Sequence, residues 1–106
     1  MTAYHKTLAS GRWHRFSLAE QLGNVGSEVS RALKWRGKDN ALFQGAIERA
    51  FELLDLTIQD LRWKDRLKEL ARVREFLADA YFGGKEYKTT LEDLDRYFFN
   101  FAFLKR

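Results

Sequence analysis

Glu48, Glu52 and Asp55 fall at i, i+4 and i+7, a spacing that lines three carboxylates along one face of a helix. Paired carboxylates on a bundle helix can hold two metal ions, but such centres also draw on Glu-x-x-His units from facing helices. The chain's two histidines, His5 and His14, both lie ahead of the first helical pattern. The trio therefore reads as one side of an ion-pair seam, with Arg31, Arg49 and Arg72 or Arg74 as its cations. Glu28, Glu75 and Asp79 can complete the set. Arg74 continues the 67, 70, 74, 77, 81 pattern and is expected partly buried, paired with Glu28 or Glu52, because an isolated buried ion is very costly. The other placement turns Val73 inward and leaves Arg74 on the flank.

Nucleophilic chemistry has no constellation to use. Ser17 is a helix cap, and Ser27 and Ser30 have no histidine nearby in the helical pattern. Gly83-Gly84 is too short for a phosphate loop, and no dinucleotide fingerprint occurs. A helical ribonuclease of the HEPN class needs Arg, four to six residues, then His. Arg96 is followed by Tyr97, Phe98, Phe99 and Asn100 without that histidine. No catalytic residue, metal ligand or cofactor is assigned, and the chain is read as a non-enzyme.

The elements that position these groups are helices. Not one of the 106 residues is proline, the residue that helix interiors exclude and turns often use. With 45% apolar and 15% aromatic residues, the chain can build a real core and form one domain. It has no cysteine, which excludes disulfides and thiolate sites and fits a reducing cytoplasm. The N-terminal stretch lacks the apolar core of a signal peptide. No apolar run approaches the roughly 20 residues of a membrane span.

Residues 1–16 read as a basic N-terminal arm, and 17–106 as an all-α, up-down-up-down four-helix bundle. Ser17 and Glu20 form a capping box, and Leu18, Leu22, Val25, Val29 and Ala32 make the seam of a first helix ending near Arg36. Gly23 and Gly26 permit a neighbouring backbone to come close. After the turn at 37–40, a second helix runs from about Ala41 to Gln59, with Phe43, Ile47, Ala50, Leu54 and Thr57 inward. A third spans about Asp65 to Phe82 and stops at Gly83-Gly84. Thr90 can cap a fourth, Leu91 to Arg106, in which Leu94, Phe98 and Phe101 make one stripe. Tyr97, Phe99 and Phe103 lie outside that stripe. A helix serving one core needs a single apolar stripe, so these three are assigned to contact with another copy of the chain.

Alternating chain direction gathers distant segments at common ends. One end collects Arg12, Arg15, Arg62, Lys64, Arg66, Lys105 and Arg106, with Trp13, His14 and Trp63, against Glu20, Asp60 and Asp65. Cations neutralise phosphates and tryptophan stacks on unpaired bases, so this end is the candidate RNA-binding surface, with Trp63 as its stacking group. The opposite end holds Lys34, Arg36, Lys38, Lys85 and Lys88. Net charge is +4, so placement matters more than amount.

The segments LAEQLGNVGSEVSRA (18–32), ERAFELLDLTIQD (48–60), RLKELARVREFLAD (66–79) and RYFFNFAF (96–103) resemble a family of small bacterial four-helix-bundle proteins. That family is related to proteins encoded by insertions in 23S ribosomal RNA genes and includes the accessory variability determinant of diversity-generating retroelements. The resemblance implies a pentameric, non-catalytic barrel that partners a reverse transcriptase and its RNA during complementary-DNA synthesis. The competing expectation is a structural or regulatory protein-interaction module without nucleic-acid binding.

Overall fold

A computed structural model describes residues 11–104, with side chains described through residue 101. Helix α1 covers Leu18–Trp35, α2 Asn40–Ile58, α3 Leu67–Tyr81 and α4 Leu91–Leu104. A 3-10 turn at Arg12–Arg15 precedes α1, and a second, Leu61–Arg66, joins α2 to α3. The four helices form an up-down-up-down bundle in which α1 lies between α2 and α4, and α3 completes the fourth side.

Three of the four helices start where polar side chains satisfy orphan N–H groups of the first turn, whereas α3 continues directly from the 3-10 turn at Leu61–Arg66 without a side-chain cap. Ser17 Oγ accepts from the Glu20 N–H and Glu20 Oε1 accepts from the Ser17 N–H, at 3.1 and 2.9 Å. Asp39 Oδ1 accepts from the Leu42 N–H at 3.0 Å. Thr90 and Asp93 repeat the reciprocal arrangement at the start of α4, at 3.0 and 3.1 Å. After α3 the chain reverses through Gly83 and Gly84, both at positive φ, where a Cβ would be strained.

The seam of α1 is realised: Leu22, Val25, Val29 and Ala32 are buried against Ala46, Ile47, Ala50, Leu53 and Leu54 of α2. Leu70, Val73 and Leu77 come from α3, and Leu91, Leu94 and Phe98 from α4. Helices α1 and α4 approach closely at Gly26. A Cβ added at Gly26 would stand 2.4 Å from Phe98 Cβ, so glycine there lets the two helices close.

Gly26→Ala is therefore expected to destabilise by about 1–3 kcal/mol, the usual cost of overpacking. Its helix-propensity gain of about 1 kcal/mol does not offset a clash with an atom held next to the backbone. Gly45→Ala is the control, because its added Cβ meets only the end of Arg49, at 3.4 Å. Urea unfolding that ranks the two variants equally would refute the close approach.

Candidate functional site

Residues 12–16, expected as the end of an irregular arm, fold onto the bundle. Trp13 is the reason: its side chain is 0% exposed, and its Nε1 donates to Thr57 Oγ1 at 3.3 Å. The ring meets Phe16 edge-on at 5.6 Å between centroids. Trp13 belongs to the core and is withdrawn from any stacking surface.

Beneath this turn lies a buried polar hub. Gln21, 0% exposed, donates through Nε2 to the Trp13 carbonyl at 2.9 Å and to Asp60 Oδ2 at 3.0 Å, and its Oε1 accepts from Trp63 Nε1 at 2.9 Å. Asp60, 3% exposed, also takes the Arg62 guanidinium at 2.7 Å and lies 3.1 Å from His14 Nδ1. The Arg62 hydrogen bonds hold the Asp60 carboxyl well below the usual carboxylate range. Burial opposes that shift, and Gln21 and His14 reinforce it. Arg62 NH2 reaches further, to the Phe16 carbonyl at 2.7 Å. Every buried polar group in the hub has a partner, as a low-dielectric interior demands.

The hub joins the two basic segments of this end. Arg12, Arg15 and Lys64 are exposed and make no ion pair among the described residues. Arg62 is committed to Asp60, and Arg66 pairs with Glu69 at 2.7 Å. Trp63 is half-buried, with the Arg62 guanidinium 4.5 Å from its ring centre, so its accessible area is smaller than the sequence suggests. Leu61, 85% exposed, stands among these cations. Lys105 and Arg106 lie outside the described residues. At the opposite end Arg36 pairs with Glu92, tying α1 to α4.

The ion-pair seam exists with different pairings. Glu28 is buried and accepts from Arg31 at 2.7 Å and Arg49 at 3.2 Å. Arg74 pairs with Asp55 at 2.6 Å, in place of the expected Glu28 or Glu52, and lies 5.1 Å from the Phe51 ring centre. Val73 takes the inward position and Arg74 the flank. The physical reason is simple: the register of α3 turns a methyl-bearing residue to the core and leaves the guanidinium where water still reaches it. Asp79 also departs from the seam. It accepts the backbone N–H groups of Glu86, Tyr87 and Thr89 at 2.9–3.2 Å and organises the loop before α4. Burial raises its carboxyl pKa, but these N–H groups outweigh it and hold the value low. Among the described residues, no group of three or more His, Asp or Glu side chains gathers closely enough for a metal ion.

The flank placement makes the Arg74–Asp55 pair weak. Both side chains are over two-fifths exposed, so a double-mutant cycle with Arg74→Ala and Asp55→Ala should give a coupling of about 0.5–1 kcal/mol. A coupling above roughly 3 kcal/mol, typical of breaking a buried pair, would refute it.

Helix α4 turns Leu94 and Phe98 into the core, and Phe101 packs partly against it. Phe99, 59% exposed, faces away on the flank shared with Gly23, Gly26, Ser27 and Ser30 of α1. The side chain of Phe103 is outside the described residues. Tyr97 stands on the other flank, half-buried in a groove of about 660 Å³ between α3 and α4. Val73, Phe76, Tyr87, Leu94 and Phe101 share its lining. Burial and the Glu69 carboxylate push the Tyr97 phenol above its ordinary value, against the pull of Arg66.

Among the described residues no helix is long and apolar enough to cross a membrane. Comparison with protein-family models, with curated proteins and with solved structures returns no match. The functional reading therefore rests on the residues themselves.

Proposed function

We propose that this chain is a non-catalytic helical scaffold that binds RNA through the end of the bundle built on the Gln21–Asp60 hub. The observation that carries the reading is the junction of two basic segments: Arg62 bonds the Phe16 carbonyl, so 12–15 and 61–66 form one surface. Arg12, Arg15 and Lys64 project from it without an acidic partner among the described residues. Fixed cations that need not break an internal ion pair are suited to neutralise phosphates.

Self-association supplies the rest of the affinity. The exposed Phe99 flank of α4 is the proposed contact between copies, with Phe103 as a further candidate, and a ring would repeat the basic end. Repetition raises effective local concentration, so a modest charge per chain suffices. Following the resemblance, the proposed stoichiometry is a pentamer, the protein partner a reverse transcriptase, and the setting a bacterial cytoplasm with a diversity-generating retroelement. Light scattering that finds only monomer at micromolar concentration would remove the ring.

The test of RNA binding uses the cations that the fold does not consume. Arg12→Glu, Arg15→Glu and Lys64→Glu combined should weaken binding to a structured RNA at least tenfold. The wild-type affinity should fall steeply with salt. Arg62 is left intact, since its loss would strip a buried carboxylate of its partner. Equal affinity for the two proteins, or no binding at low salt, would favour the second reading, a protein-interaction module. The α3–α4 groove is the specific feature in favour of that reading.

A further inference from the structure

We propose that the groove between α3 and α4 is a docking site for an amphipathic helix of a partner protein, with acidic residues flanking its apolar anchors. The site is separate from the basic end, and the inference stands whether or not that end binds RNA.

The walls set the shape of the occupant. Glu69, Arg72, Val73 and Phe76 supply α3, spaced i, i+3, i+4 and i+7, and Leu94, Tyr97 and Phe101 supply α4, spaced i, i+3 and i+7. Each wall is two helical turns long, roughly 10 Å at 1.5 Å per residue. That length matches the i, i+3 or i+4, i+7 anchors by which a helix seats in a groove. The groove exists because α3 and α4 pack together more thinly than the other neighbouring helix pairs. A volume of about 660 Å³ lies in the range of preformed binding sites, and its floor is aromatic and aliphatic.

Charge selects the occupant's chemistry. Both acids at the rim are already answered: Glu69 by Arg66 at 2.7 Å, and Asp93 by Arg96 at 2.5 Å and by the Thr90 N–H. Both cations are not. Arg72 and Lys88 line the groove and make no ion pair among the described residues. They sit apart, Arg72 on the α3 wall and Lys88 in the loop beside Thr89. Their complement is a pair of separated acids beside an apolar stripe, which a helix provides and a single carboxylate does not. The Tyr97 hydroxyl, with no hydrogen bond among the described residues, adds a donor inside the groove.

The probe is a synthetic helical peptide with leucines at i, i+3 and i+7 flanked by glutamates, and its counterpart with lysines for the glutamates. Titrated into the full chain, the glutamate peptide should shift the amide resonances of Val73, Phe76, Tyr97 and Phe101. It should bind at least tenfold more tightly than the lysine peptide. Arg72→Glu combined with Lys88→Glu, both exposed positions, should invert that preference. A wild-type-like amide spectrum of the variant shows that its groove is folded. Equal binding of the two peptides, no binding, or shifts confined to other faces would overturn the proposal. Laurate shifting these resonances where the peptide does not would make the groove a small-molecule site. Movement of the same resonances on simple dilution would make the occupant a second copy. Either result also overturns it.

Discussion

Trp13→Ala is expected to remove about 3–5 kcal/mol of stability, the usual cost of deleting a large buried aromatic. Domains of this size hold only about 5–15 kcal/mol in total, so one residue ahead of the first α-helix carries a large share. The cost has two sources. The indole is wholly buried, and it is the only buried residue of its 3-10 turn, with Phe16 beside it only partly buried against the core. Its departure also leaves Thr57 Oγ1 without the indole donor, although that hydroxyl still donates to the Leu53 carbonyl at 2.9 Å. Urea unfolding followed by far-UV circular dichroism gives the value, with exposed Arg12→Ala and Arg15→Ala as near-neutral controls within about 0.5 kcal/mol. A loss below roughly 1 kcal/mol would mean that the turn is not docked.

Removing the carboxylate at Asp60 should cost about 3 kcal/mol, the low end for breaking a buried pair, because the Arg62 side chain is 41% exposed and can rehydrate. The same group predicts a pH signature. Its folded pKa is depressed, so its contribution is complete above the unfolded value of about 3.9 and is lost as pH falls towards the folded one. Asp60→Asn keeps the side chain's shape and cannot titrate. Measured in a His14→Gln background, which removes the imidazole 3.1 Å from the carboxylate, the stability difference made by Asp60→Asn should hold steady from roughly pH 5 to 8 and shrink below about pH 4. Asp79, Glu92 and Asp93 are also held low, but they are common to both proteins and cancel in the difference. A difference that stays constant into acid would sink the assignment.

The parts of the fold legible in the sequence are those governed by local rules. The Ser17–Glu20 box, the apolar period of Leu22, Val25, Val29 and Ala32, and the glycine stop at 83–84 each follow from neighbours within a turn or two. The close approach at Gly26 was legible as a permission; that Phe98 uses it was not. The hub escaped for the opposite reason. Gln21 and Asp60 look like ordinary surface residues, and their partners are 39 positions apart in the chain. Trp13 sits between arginines in a four-residue turn, too short for any helical period to mark. At Arg74 the period itself misled, since one step of register separates it from Val73. The α3–α4 groove had a partial signal in the surplus aromatics of α4. Its charge asymmetry depends on which acids are already paired, and spacing alone does not reveal that.

The Gly26–Phe98 contact has a consequence for how the chain is made. The bared backbone of α1 at Gly26 is finished by a residue synthesised about 70 positions later, which at usual elongation rates means roughly 4–14 s on the ribosome. Helix α2 follows directly and can cover one side of α1 during that interval, whereas the side facing Phe98 must wait for α4. In a nascent chain that strip stays uncovered until α4 is made, so the α1–α4 seam closes only after the other three helices already exist.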